Sequence, residues 1–177
     1  ANRIHLRKPS YPIIKRKVRD IADKSEELVQ FMTHEDGRLV YLFNETGQNG
    51  IVSQSDARTF RPLHSTAGGK AILSTWSRAE IEAYIDRNGL ESVTEQTITD
   101  PDALFEEVER IRERSYATNT EETVGGLGAI SVPIEHPEDG AVGALGISGP
   151  INRVGDGTRS KLLLDAKKEL ELNIRLL

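Results

Sequence analysis

The stretch Ala129-Ile130-Ser131-Val132-Pro133-Ile134-Glu135-His136-Pro137-Glu138-Asp139-Gly140-Ala141-Val142-Gly143-Ala144-Leu145-Gly146-Ile147-Ser148 decides the fold. Two β-like runs, Ala129–Glu135 and Ala141–Ser148, flank an Asp139-Gly140 step, which between such runs is a strong hairpin signal. The same signal occurs upstream, where His34-Glu35-Asp36-Gly37 joins the runs Leu28–Thr33 and Arg38–Asn44. Helical patterns separate the two hairpins. A segment from Ser10-Tyr11-Pro12 through Ile14, Val18, Ile21 and Ala22 reads as a helix with proline in its first turn. Further helices are expected at about Ala67–Thr75 and Ser77–Asp86, the second opening with a capping box at Ser77 and Glu80. Thr99-Asp100-Pro101 caps another, striped by Leu104, Val108 and Ile111. A long helix over Arg159–Leu176 ends the chain, and Glu45–Arg61 reads as a loop with a short strand at Ile51–Ser53. Hairpins alternating with helices predict an α+β domain, an antiparallel sheet with helices packed on it.

A chain of 177 residues is long enough for one domain with a proper core. It has no cysteine, which excludes disulfides, a cysteine nucleophile and thiolate metal sites. No run approaches the ~20 apolar residues of a membrane span, and no apolar signal segment opens it. An intracellular, cytoplasmic setting is the expectation. Seven basic residues, from Arg3 to Arg19, precede the first acid, Asp20. That leaves 16 of the 23 Lys and Arg against all 28 acids, so residues 20–177 carry a net −12. Such a body repels nucleic acid, and only the N-terminal arm suits a polyanion. The start at Ala1, with Met32 as the single methionine, is fragment-like.

The segment Leu63-His64-Ser65-Thr66-Ala67-Gly68-Gly69-Lys70-Ala71 pairs a hydroxyl cap with two glycines at a helix start, a place where backbone N–H groups favour anions. It is not a phosphate loop. That motif needs glycine at position 64 and Ser or Thr at position 71. Gly125-Gly126-Leu127-Gly128 and Gly143–Gly149 fail the dinucleotide spacing as well. His64 beside Ser65 invites a hydrolase reading, but adjacent residues do not face each other and no nucleophile elbow exists, so a structural role for His64 outweighs catalysis. Glu121-Glu122 reads as two solvated loop acids before it reads as a catalytic pair. The His34-Glu35-Asp36 run fits a turn better than a metal site. Three small-residue stretches remain: Ala67-Gly68-Gly69, Gly125–Ala129 and Gly143–Gly149. They mark either close helix packing or one shared pocket, with equal weight.

These stretches also carry a resemblance. Pro62–Leu73 resembles the helix entry of the effector-binding domain of IclR-type transcriptional regulators. Matches follow in order at Thr97–Asp100, at Ile111–Ala117 followed by Glu121-Glu122, at Ile130–Ile134 and at Gly146–Pro150. The resemblance implies a GAF-like curved antiparallel sheet with flanking helices and a cup for a small effector. It implies that residues 1–26 are a connecting helix towards a missing winged helix-turn-helix domain, and that 27–177 form the effector-binding domain. It places Ala67, Gly68, Gly69, Asn119, Leu127, Ala129, Gly146 and Ser148 at the cup. Asn119, Ala129 and Gly146 stand where more polar residues can occur, which leaves room for a larger or more apolar acid than glyoxylate or pyruvate. Ser115 stands where the family usually has glycine.

The function implied is sensing of a small organic acid by a regulator that meets operator DNA through its missing domain, as a homodimer or homotetramer. No cofactor, metal, catalytic residue or membrane contact is implied. The alternatives are a hydrolase-type enzyme on the same fold, using His64 or Glu121, and a dimerisation module with an unused cup. Methionine sulfoxide reduction on such a fold needs cysteines that this chain lacks. Tyr41, Phe43, Phe60 and Trp76 fit core packing better than a cup or an interface, and Ser53 is a possible wall residue.

Overall fold

The computed structural model describes residues 8–51, 60–154 and 157–177. The expected strand at Ile51–Ser53 and the wall residue Ser53 lie outside them, apart from Ile51. The elements run α1 (Tyr11–Ser25), β1 (Leu28–Glu35), β2 (Arg38–Thr46), α2 (Ala67–Leu73), α3 (Arg78–Asn88), α4 (Pro101–Arg114), β3 (Ala117–Thr120), β4 (Leu127–His136), β5 (Gly140–Pro150), α5 (Ile151–Val154) and α6 (Thr158–Arg175). A single 3₁₀ turn, Leu63–Ser65, leads into α2. The five strands form one antiparallel sheet in the order β2-β1-β5-β4-β3. This is the α+β arrangement the hairpin pattern predicts.

The side-chain period of two divides the sheet between two cores. Val29, Phe31, Ile130, Val132, Ile134, Leu145 and Ile147 face α1 and α6. Met32, Leu39 and Ala144 face α2, α3 and α4. Ile14, Val18 and Ile21 are buried, so the helix expected as a connector is itself part of the first core. The capping box forms as the sequence implies: Glu80 N–H donates to Ser77 Oγ and Ser77 N–H to the Glu80 carboxylate. Asp100 accepts from Ala103 N–H.

The two hairpins differ. Asp36 and Gly37 have φ of +50° and +75°, the signature of a two-residue type I′ turn whose twist matches its strands. At the second hairpin His136 pairs with Gly140, so the loop is residues 137–139 and only Gly140 is left-handed, at +71°. The Glu138 and Asp139 N–H groups donate to His136 Nδ1, which tightens this longer turn. Short elements escaped the sequence reading: β3, the four residues Ala-Thr-Asn-Thr, and α5.

Ser115 ends α4 in the left-handed region at φ +69°, where a Cβ is strained. Ser115→Gly is expected to raise the stability of the chain by about 1 kcal/mol. A denaturant melt checks this, and an unchanged or lower midpoint contradicts it.

Candidate functional site

On the α2 side of the sheet, alternate residues of three strands converge. Gln30 lies opposite Gly146, Ser131 opposite Gly146 from the other side, and Ala129 opposite Ser148. Thr66, Ala67 and Gly68 border this floor from above, and Asn119, Thr123 and Val124 from one side. Leu39, Tyr41 and Arg61 close the other side. The half-open cup has a volume of about 80 Å³, well above the roughly 10–15 Å³ that one buried water needs. Seven of the eight residues placed at the cup by resemblance border it: Ala67, Gly68, Asn119, Leu127, Ala129, Gly146 and Ser148. Gly69 does not. Its N–H is capped by Thr66 Oγ1 at 2.9 Å, and its Cα faces the backbone of Leu63.

The small residues have packing roles of their own. A Cβ on Gly68 would overlap Met32, one on Gly146 would overlap the Ser131 hydroxyl, and one on Gly143 would overlap Met32 O and the Phe31 ring. Gly68 therefore lets α2 lie close on β1, Gly143 and Gly146 leave room for groups of the neighbouring strands, and Gly125 and Gly126 face open space. Both readings of the small-residue stretches hold, at different positions.

The lining includes residues that sequence reasoning passed over. Arg61 is 8% exposed and, among the described residues that line the cup, carries the one formal charge. Its backbone is held beside the start of β2. Leu39 N–H donates to Arg61 O at 2.9 Å, and Arg38 bridges to Pro62. In sequence it closes a polar loop, and adjacency to Pro62 is the one hint of its place. Tyr41, read as core, reaches the cup wall, while Phe43 packs against Tyr11 and Phe31. Phe60 is exposed, and Trp76 stands edge-on to His34.

Glu122 corrects the reading of two solvated acids. Glu121 takes φ +57°, which turns its neighbour inward rather than to an opposite face of an extended chain. Glu122 is buried and receives Lys70 Nζ at 2.8 Å on both carboxylate oxygens. Lys70 is 1% exposed, and its second anion is Glu107 of α4 at 3.8 Å. Burial raises the Glu122 carboxyl above its ordinary range, with Lys70 opposing the rise. Glu121 is engaged elsewhere, its Oε1 accepting from Gly126 N–H at 2.7 Å.

His64 is structural, as expected. Nε2 meets the Glu91 carbonyl at 2.8 Å, and because a carbonyl only accepts, Nε2 carries the proton. Nδ1 then accepts from Tyr84 OH at 2.8 Å. Both ring nitrogens are committed, and Ser65 Oγ donates to Pro62 O instead, so no nucleophile–base pair forms there. Burial lowers the His64 pKa below 6.5. The unfolded chain then takes up a proton that the folded chain refuses, so the contribution of His64 is fully present above pH 6.5 and falls as pH drops towards the folded value. His64→Gln should flatten this acid-side loss relative to the native chain. A comparison of melting temperatures across pH checks it, and parallel curves contradict it. Among the described residues no group of acids and histidines could hold a metal ion. No helix among them is long and apolar enough to cross a membrane.

Residues 3–170 match the family model described as the C-terminal part of the bacterial transcriptional regulator IclR. The probable HTH-type transcriptional regulator ArcR of Halobacterium salinarum is 26% identical over 171 residues, covering 93% of this chain and 65% of the relative. The chain thus spans less than two thirds of that relative's length. The crystal structure of IclR from Thermotoga maritima superposes with a TM-score of 0.87 at 27% identity, over 97% of this chain and 71% of that one. A double mutant of the inducer-binding domain of PobR from Acinetobacter, in complex with 3-hydroxybenzoic acid, shares the fold with a TM-score of 0.75 at 23% identity, over 90% and 96%.

Proposed function

Since the chain belongs to the IclR family of bacterial transcriptional regulators and carries their effector-binding domain, we propose that its cup takes a small organic acid and that occupancy changes the state of the regulator. The observation that carries this reading is Arg61, 8% exposed and the one charged side chain among the described residues that line the cup. A guanidinium in such a place pairs well with a planar carboxylate, and charge-assisted hydrogen bonds are the strong ones. Ser148 and Thr66 supply hydroxyls near by, while Leu39, Val124 and Leu127 give an apolar wall. That balance favours a monocarboxylate with an apolar body over a small keto acid. PobR, which shares the fold, holds an aromatic acid in its complex.

A ligand shifts an equilibrium only by its differential affinity for the two states, so the acid must bind one arrangement of the regulator better than another. Contact with operator DNA is assigned to a domain outside these residues, consistent with the net −12 carried by residues 20–177. Assembly as a dimer or tetramer, in the cytoplasm, completes the proposal. Thermal melts of the chain with benzoate, 3-hydroxybenzoate, phenylacetate and pyruvate test the ligand class. At a hundred times its Kd a bound acid adds about 2.7 kcal/mol of stability. The aromatic acids are expected to raise the melting temperature more than pyruvate does, and Arg61→Met to cut that shift to about half or less. An undiminished shift in Arg61→Met counts against the proposal.

A further inference from the structure

The wall of the cup formed by residues 119–124 is not a regular element. Glu121 sits at φ +57°, a backbone position that persists only where the surroundings enforce it. Four sets of bonds do so. Asn119 Oδ1 accepts from Glu122 N–H at 2.8 Å, and Asn119 Nδ2 donates to Ser65 O at 3.1 Å. Thr123 Oγ1 donates to the same Ser65 carbonyl at 2.6 Å. Thr94 and Thr97 hydroxyls donate to the carbonyls of Glu121 and Glu122, both at 2.6 Å. The fourth is the Lys70 ammonium held by both oxygens of Glu122, which ties the turn to the middle of α2. The neutral bonds join the turn to backbone at its edges. The ion pair alone among these reaches from beneath the turn into the helix whose first residues border the cup.

We infer that Lys70 and Glu122 are positioning residues for the cup: their buried ion pair sets the 119–124 turn, and with it Asn119, Thr123 and Val124, at the distance from α2 that the cup requires. The inference rests on the cup being a binding site, but its geometry is independent of the ligand. A buried ion pair is weak evidence for stability, because replacing both partners with apolar groups of similar volume is often neutral. Here its bonds tie the turn to the middle of α2. Neither residue lines the cup, so neither touches the ligand.

The test is amide hydrogen exchange on the 177-residue chain and on the double variant Lys70→Met/Glu122→Leu, compared at equal pH. The double variant should keep its melting temperature within a few degrees of the native chain. The amides of residues 119–127 should exchange about tenfold faster, while those of β1 and β5 keep their protection. A purely structural role would move both regions together or neither. If the double variant fails to fold, Glu122→Gln serves, since Lys70 keeps Glu107 as its anion; the same local loss is expected. Native protection over 119–127 in whichever variant folds overturns the positioning role. Exchange needs no ligand, so that result leaves the organic-acid reading standing. A chain that binds no acid refutes the ligand reading without touching the exchange result.

Discussion

Lys70→Met alone is expected to destabilise the chain by about 3–5 kcal/mol, a large part of the stability of an ordinary domain. The substitution leaves the aliphatic bulk in place but strips Glu122 of the ammonium that meets both of its oxygens. A buried carboxylate without its cation either stays charged at high cost or takes up a proton. Burial already pushes the Glu122 pKa upward with Lys70 present, and removing Lys70 removes the main opposing influence. The loss should therefore shrink on acidification, as protonation discharges the orphaned acid. Denaturant midpoints at neutral and acid pH measure it. A single variant as stable as the native chain at neutral pH would mean that Glu122 finds another cation or reaches water.

Gly69→Ala is expected to be comparably damaging. Helix propensity alone predicts the opposite sign, since alanine is favoured over glycine by about 1 kcal/mol within a helix. Packing decides against it. A Cβ at position 69 would lie well inside 3.0 Å of three backbone atoms of Leu63, and backbone does not step aside as a flexible side chain does. Moving the 3₁₀ turn away would also break the hydroxyl cap from Thr66 and pull the Ser65 carbonyl from Asn119 and Thr123. A cost of about 3 kcal/mol or more follows. Gly125→Ala, which meets nothing within 4 Å, is the control and should change stability by under about 0.5 kcal/mol. Equal melting curves for the two variants would contradict this account of the helix entry.

Local signals made most of the fold legible. The stripe Ile14, Val18, Ile21 marks α1, the Ser77 and Glu80 pair marks the start of α3, and Asp36-Gly37 marks a tight hairpin. Each of these is decided within a few residues. What depends on distant partners was illegible. Thr118 and Asn119 carry no strand pattern and are strand because β4 pairs with them. Lys70 carries no local sign of burial, because its partner Glu122 lies 52 residues away. The site follows the same division. Glycines and small residues drew attention to the cup, and seven positions placed by resemblance border it. Arg61 stayed hidden because a basic residue at the end of a polar loop has no pattern of its own. The pairing of Leu39 with Arg61 and of Arg38 with Pro62 brings it to the cup.

The central claim is that the cup binds an organic acid through Arg61, and calorimetric titration tests it most directly. The acid that most stabilises the native chain is titrated into that chain, into Arg61→Met and into Leu127→Trp, which fills the cup. The account predicts one saturable site in the native chain, a loss of roughly 10- to 100-fold in affinity with Arg61→Met, and no measurable binding with Leu127→Trp. Native affinity in both folded variants would place the acid elsewhere and contradict it.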